Sequence, residues 1–284
     1  MLGAIIGDVV GSVYEFDNHR SKCFEPFFHS ESFYTDDTIC TVAVADALVH
    51  GRHPAHALKE WGTRYWDNGG WGRSFAMWLG SDSLEPYNSY GNGAGMRVSS
   101  AAFLATSLVE ALEYSDHVTA VTHNHPEGMK GARATTHAIW LSLHDSPVEE
   151  IRSEIAQTYG YNLSRTIDEI RPTYRFNESS QGTVPEAIIC ALSAQSYEDA
   201  IRNAISIGGD SDTLATICGP IAEARFGLPG AMVQHVCNQL PTDIKEVMAA
   251  TYALALRRQA SRDGVSQRWL DSAGSVYGGL QGLS

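Results

Sequence analysis

A chain of 284 residues, 43% hydrophobic and 19% charged, can bury a sizeable core and fits one large domain or two small ones. Its 20 basic against 33 acidic side chains leave a formal charge of −13, which excludes a general nucleic-acid binder, because neutralising phosphates takes a Lys/Arg face. An anionic substrate therefore needs local help, and a bound divalent cation gives it by reversing the sign of an acidic site.

The stretch from Met1 to Gly11 is apolar, but it lacks a basic flank and is interrupted by Asp8, so it does not read as a signal peptide. From Asn18 to Ser32 the chain is long for a connection and apolar in places. Two readings stand for it, a mobile flap over a site and a packed surface loop. Ile39, Val42, Ala43, Leu48 and Val49 then repeat at helical spacing, which predicts a helix over 38–50. Similar patterns predict helices over 54–66, 95–113, 128–144, 147–158, 183–194, 197–206, 212–226 and 242–258. Breakers such as Asn68-Gly69-Gly70, Pro126, Pro147, Gly208-Gly209 and Pro241 separate them.

No strand pattern appears, so the expected fold class is all-α: a single compact domain over 1–284 whose helices pack at several angles. From about residue 262 the Gly- and Ser-rich sequence reads as an irregular tail anchored by Trp269 or Tyr277. No apolar run reaches membrane length. The five widely separated cysteines, with no CxxC pair, read as reduced thiols of a cytoplasmic protein. Monomer is the expected state.

Two short acidic clusters carry the chemistry. Thr35-Asp36-Asp37-Thr38 and Gly208-Gly209-Asp210-Ser211-Asp212-Thr213 each stand just before an apolar helical run. One such cluster needs no more than helix capping, since Thr and Asp are good N-caps and negative charge suits the helix N-terminus. Two of matching composition offer more oxygen than capping requires. Carboxylate and hydroxyl oxygens suit Mg²⁺ or Mn²⁺, so packing that unites the clusters makes a cation pocket.

Five segments taken together resemble the ADP-ribosylglycohydrolase family, of the dinitrogenase reductase-activating glycohydrolase and ADP-ribosylhydrolase type. They are Gly3 to Glu15, Thr35 to Thr38, Ser89-Tyr90-Gly91-Asn92-Gly93-Ala94-Gly95-Met96-Arg97, Thr122-His123-Asn124-His125-Pro126 and Gly208 to Thr213. The resemblance implies an ADP-ribosylglycohydrolase-like all-α fold with two neighbouring divalent ions, Mg²⁺ or Mn²⁺. Thr35, Asp36 and Asp37 match one ligand set and Asp210, Asp212 and Thr213 the other, with Asp212 bridging. Glu15, which by itself reads as a solvent-facing residue after an apolar helix, matches the family's acid/base. Asp8, among glycines, reads as a supporting residue.

The resemblance further implies that Ser89, Tyr90, Gly91 and Asn92 bind the diphosphate and adenosine, through backbone N–H groups and the Tyr90 ring. It places His123 near the phosphates, with His125 a neighbour or a cap. Gly70-Trp71-Gly72 resembles an element lining the ribose pocket, although Arg73-Ser74 departs from the small residues expected next. The implied activity is cleavage between the terminal ribose of ADP-ribose and an acceptor, a protein side chain or a related conjugate, releasing ADP-ribose. Competing readings are an ADP-ribose-binding or structural member without catalysis and an ADP-ribose-ester hydrolase. A His-Asp metal phosphohydrolase centred on His144-Asp145 is a further one, although a cap and turn explain that pair.

Overall fold

The computed structural model describes residues 1–260 and 262–282. Among them there are sixteen α-helices, one turn of 3-10 helix at Trp66–Asn68, no strand, and a single isolated bridge between Gly91 and Ser179. In chain order the helices are α1 (Leu2–Gly11), α2 (Asp36–His50), α3 (Pro54–Arg64), α4 (Arg73–Leu79), α5 (Gly93–Met96), α6 (Ser99–Leu104), α7 (Leu108–Thr119) and α8 (Pro126–Leu143). The second half continues with α9 (Val148–Tyr159), α10 (Ile167–Ile170), α11 (Ser180–Leu192), α12 (Tyr197–Ser206), α13 (Ser211–Phe226), α14 (Gly230–Gln239), α15 (Thr242–Gln259) and α16 (Gln267–Gly282).

Local chemistry explains many of the boundaries. The Thr35 side chain caps α2 by accepting from the Asp37 N–H, and Gly51, at φ 63°, ends it in the left-handed region that suits glycine. His125 caps α8 ahead of Pro126 at the first helical position, and Ser107 and Ser196 cap α7 and α12.

Two expectations fail. The single helix expected over 95–113 is three, because the chain leaves the helix at Arg97-Val98 and again at Ala105 to Ser107, where Ser107 starts α7. The segment from about 262 is not an irregular tail. Its residues 267–282 form α16, which buries Trp269, Ala273, Val276 and Leu280 along one stripe. Trp269 is indeed the anchor, stacked on Phe103 at 5.3 Å between ring centroids.

One hydrophobic cluster runs from Met1 to Leu280. α1 lies at its centre, with every residue buried. Each fully buried aliphatic side chain such as Leu2 or Ile5 contributes about 1.5–3 kcal/mol over its exposed state. No described helix is long and apolar enough to cross a membrane. All five cysteines are free, four of them buried.

Candidate active site

The site starts from the closeness of two helices. Gly3, Gly7 and Gly11 recur every four residues and share one face of α1. α13 presses on that face: a Cβ at Gly7 would stand 2.3 Å from the Ala215 carbonyl oxygen, and one at Gly11 2.5 Å from Asp212 Cα. The absent side chains therefore let the first turn of α13 sit directly against the end of α1.

Asp8, on the same helix, is fully buried and ties α1 to the start of α2. Its carboxylate accepts from the Thr35 backbone N–H and hydroxyl, both at 2.8 Å, and from the Thr38 N–H at 3.1 Å and hydroxyl at 2.5 Å. Those N–H groups are among the donors a helix start leaves unpaired. Burial raises the Asp8 pKa to about 6, against the lowering effect of these bonds. Asp8 thus fixes where Thr35, Asp36 and Asp37 stand, the supporting part expected of it.

The two acidic clusters, at the starts of α2 and α13, meet. Asp36, Asp37, Asp210, Asp212 and Thr213 line one cavity of about 270 Å³, and Glu15 from the loop after α1 lines it with them. Glu15, Asp210 and Asp212 bring carboxylate oxygens within 4.8 Å of one another. Thr35 is behind the wall, its hydroxyl turned to Asp8 and the Asp37 N–H. Asp37 Oδ2 is buried with no hydrogen-bond partner.

The electrostatics are one-sided. Burial raises Glu15 to about 7, helped next by Asp210, and Asp36 to about 7, helped by Asp8. Burial, with Asp36 beside one and Asp210 beside the other, holds Asp37 and Asp212 well above the usual carboxylate range. Among the described residues none of these carboxylates is in an ion pair. Oxygen donors, an orphaned carboxylate oxygen and uncompensated negative charge together fit a hard divalent cation.

Ser89, Gly91, Asn92, His123, Gly70 and Gly72 line the same cavity. Tyr90 does not: it is 53% exposed, and its ring faces His125. The expected backbone donors of the 89–92 loop are also largely taken. Ser89 N–H bonds the Thr122 carbonyl, Gly91 N–H bonds Ser89 Oγ, and Asn92 N–H bonds the Glu178 carbonyl at 2.7 Å. The Asn92 amide donates to Asp210 Oδ2 at 2.7 Å and to Thr183 Oγ1 at 3.2 Å, so it orients an acidic residue. These bonds and the Gly91–Ser179 bridge stitch the loop to the start of α11.

Several wall residues had no signal in the sequence. Arg97, quoted above only as the end of a motif, is buried behind His123 and donates to Thr122 Oγ1 at 2.5 Å. Cys40, Tyr87, Phe176 and Glu178 also line the cavity, as do Arg73 and Ser74. Trp71 does not. Its indole N–H bonds the Trp66 carbonyl, and its ring continues an aromatic row through Phe75 to Trp78.

The model of the ADP-ribosylglycohydrolase family matches residues 1–264 of the chain. The chain belongs to the ADP-ribosylglycohydrolase family. It is similar to the ADP-ribosylarginine hydrolase Tri1 of Pseudomonas putida, with 27% identity over 263 residues that cover 81% of this chain and 70% of that one. It is also similar to the ADP-ribosylhydrolase ARH3 of Homo sapiens, with 26% identity over 306 residues covering 80% and 84%. A solved ADP-ribosylglycohydrolase-related protein complex shares the fold, with a TM-score of 0.68 and 20% identity over 91% of this chain and 95% of that one. Membership places the chain among the hydrolases of ADP-ribose conjugates.

Two other sequence features find their place in the fold. The 18–32 segment is a packed loop. Arg202 donates to the Lys22 and Phe24 carbonyls, and Phe24 packs on Tyr14 and Phe27. His144-Asp145 forms a helix end: His144 Nδ1 bonds the Trp140 carbonyl at 2.8 Å and Asp145 takes φ 52°. Neither residue lines the cavity of the acidic clusters.

Proposed function

We propose that the chain is a cation-dependent hydrolase that cuts the bond between the terminal ribose of ADP-ribose and an acceptor, releasing ADP-ribose. The observation that carries this reading is the convergence of Glu15 with both acidic clusters in one cavity, where Asp37 Oδ2 has no protein partner. Two divalent ions, Mg²⁺ or Mn²⁺, would suit the donor set: Asp36 and Asp37 would hold one, with Thr35 set behind them, and Asp210, Asp212 and Thr213 the other. When bound, such ions hold ribose hydroxyls and make a water acidic enough to supply a nucleophile near neutral pH.

The chain's own groups do the rest. Glu15, with a carboxylate oxygen within 4.8 Å of those of Asp210 and Asp212, stands where a group can pass a proton to or from the leaving atom. Asn92 orients Asp210, and Asp8 orients Thr35. Arg97, in no ion pair among the described residues, adds a buried positive charge to the same lining. A ligand that carries a ribose at one end and a diphosphate beyond it matches a lining of both signs.

The acceptor faces the mouth. There Phe176, 44% exposed, stacks on Phe16, 84% exposed, at 6.0 Å, and Glu178 stands two residues away. Aromatic faces beside a carboxylate suit a planar cation. An arginine linkage is therefore the first substrate to test, and the Pseudomonas putida relative is named for ADP-ribosylarginine. Arginine-linked, serine-linked and O-acetyl-ADP-ribose substrates, each with Mg²⁺ and with Mn²⁺, form the deciding panel. Release of ADP-ribose from the arginine linkage above the others is expected. Tight ADP-ribose binding without release from any of them would make the chain a binding module.

A further inference from the structure

Three buried side chains behind the Ser89–Asn92 loop form a chain of hydrogen bonds whose direction is set at its Arg97 end. Arg97 has only donors to offer, and its Nη2 donates to Thr122 Oγ1 at 2.5 Å. Thr122, fully buried, lies 2.8 Å from His123 Nδ1 through the same oxygen. The hydroxyl has one hydrogen, and the guanidinium already occupies one of its lone pairs. Donation from the guanidinium polarises the O–H towards giving its hydrogen to Nδ1, although a second lone pair stays open. Arg97 Nη2 also stands 3.4 Å from Nδ1, where a second N–H would face a donor.

We propose that Arg97, acting through Thr122, is the positioning residue that fixes His123 as the Nε2–H tautomer, with that N–H presented to an anionic oxygen of the ligand between Gly91 and Gly93. The proposal rests on the reading of the cavity as an ADP-ribose site.

Nε2 is on the open side of the ring. A Cβ at Gly93 would stand 3.2 Å from it and one at Gly91 3.4 Å, so two bare glycines leave the space in front of it clear. The donor matters because its neighbours are taken: Ser89, Gly91 and Asn92 use their N–H groups inside the protein. Burial, and after it the charge of Arg97, hold the His123 pKa well below its ordinary value, so the ring is neutral and carries a single hydrogen. Arg97 itself, 1% exposed and without a described carboxylate partner, gives the wall behind that donor a positive charge that an anionic oxygen would meet. The relay turns a residue that can be hydrogenated on either nitrogen into one that can only donate into the cavity.

The test reads the tautomer directly in the ligand-free protein. Long-range ¹H–¹⁵N correlation of the His123 ring, assigned through His123→Gln, should give a protonated Nε2 and an unprotonated Nδ1 in the wild type. Thr122→Val keeps the side-chain shape and removes the relay, so the ring should shift towards Nδ1–H and ADP-ribose affinity should fall about tenfold. Thr122→Ser should restore both. With a substrate in hand, the loss in Thr122→Val should appear in KM and not in kcat. An Nδ1–H ring in the wild type, or a Thr122→Val protein with unchanged tautomer and affinity, would overturn the proposal. Because the ring is read without ligand or turnover, failure of the proposed hydrolase activity would leave a positive tautomer result standing.

Discussion

Asn92 Nδ2 donates to Asp210 Oδ2 at 2.7 Å, and this contact joins the 89–92 loop to the acidic cluster. A carboxylate held by a neighbour is better aimed at a cation than a free one. Asn92→Ala should weaken Mg²⁺ or Mn²⁺ binding about 10–100-fold while the fold persists. Calorimetric titration of the metal-free variant checks this, and wild-type affinity would show that Asp210 needs no such support.

The raised pKa of Glu15 has a pH signature. Burial first, and the Asp210 charge next, hold it at about 7, whereas the unfolded chain returns it to the ordinary carboxylate range. The folded state thus binds the proton more tightly. That contribution is fully present below the unfolded pKa and is lost as pH rises through about 7. In EDTA, the Tm of the wild type should therefore drop relative to Glu15→Gln as pH rises through that window. Added divalent cation should narrow the gap, since it favours the charged carboxylate. A wild type that gains on Glu15→Gln with rising pH in EDTA would contradict the assignment.

Gly7 tests the helix contact that brings α13 to the site. A methyl there would meet the Ala215 carbonyl oxygen at 2.3 Å, and both partners are backbone in buried helices. Gly7→Ala should cost about 1–3 kcal/mol despite alanine's better helix propensity, read as a lower urea midpoint. A stabilised variant would mean that α1 and α13 can separate freely.

How much of this was legible in the sequence depended on range. The starts of α2 and α13 could be read from Thr35 and from Asp210 to Thr213, because capping and first-turn acids are local signals. The break of the expected 95–113 helix could not: Val98 and Ala105 are neither glycine nor proline, and packing sets the turn. α16 was hidden by its Gly and Ser content, although Trp269, Ala273, Val276 and Leu280 do keep helical spacing. At the site, the two clusters could be read from their matching Asp and Thr content, Glu15 only from the resemblance, and the cavity unites them. The relay from Arg97 to His123 had no signal, since it depends on Thr122 lying 2.5 Å from a residue 25 positions away.

Arg20 links the Glu15 loop to the Asp210 turn. Its guanidinium donates to the carbonyls of Arg171, Tyr174 and Ile207, and to Asn18 Oδ1, which also accepts from the Gly209 N–H at 3.3 Å. Arg20→Ala should speed amide exchange over 13–20 and 171–176 and lower kcat, with ADP-ribose affinity little changed. Unaltered exchange in both segments would mean that other contacts hold the loop.

Release of ADP-ribose by the metal-free protein, before and after Mg²⁺ or Mn²⁺ is restored, tests the central claim most directly, with arginine-linked, serine-linked and O-acetyl substrates side by side. No release is expected in EDTA, release from at least one substrate when the cation returns, and near-complete loss in both Glu15→Gln and Asp212→Ala, with Glu15→Gln still binding ADP-ribose. Full turnover in EDTA, or an Asp212→Ala protein with wild-type activity and cation affinity, would contradict that claim.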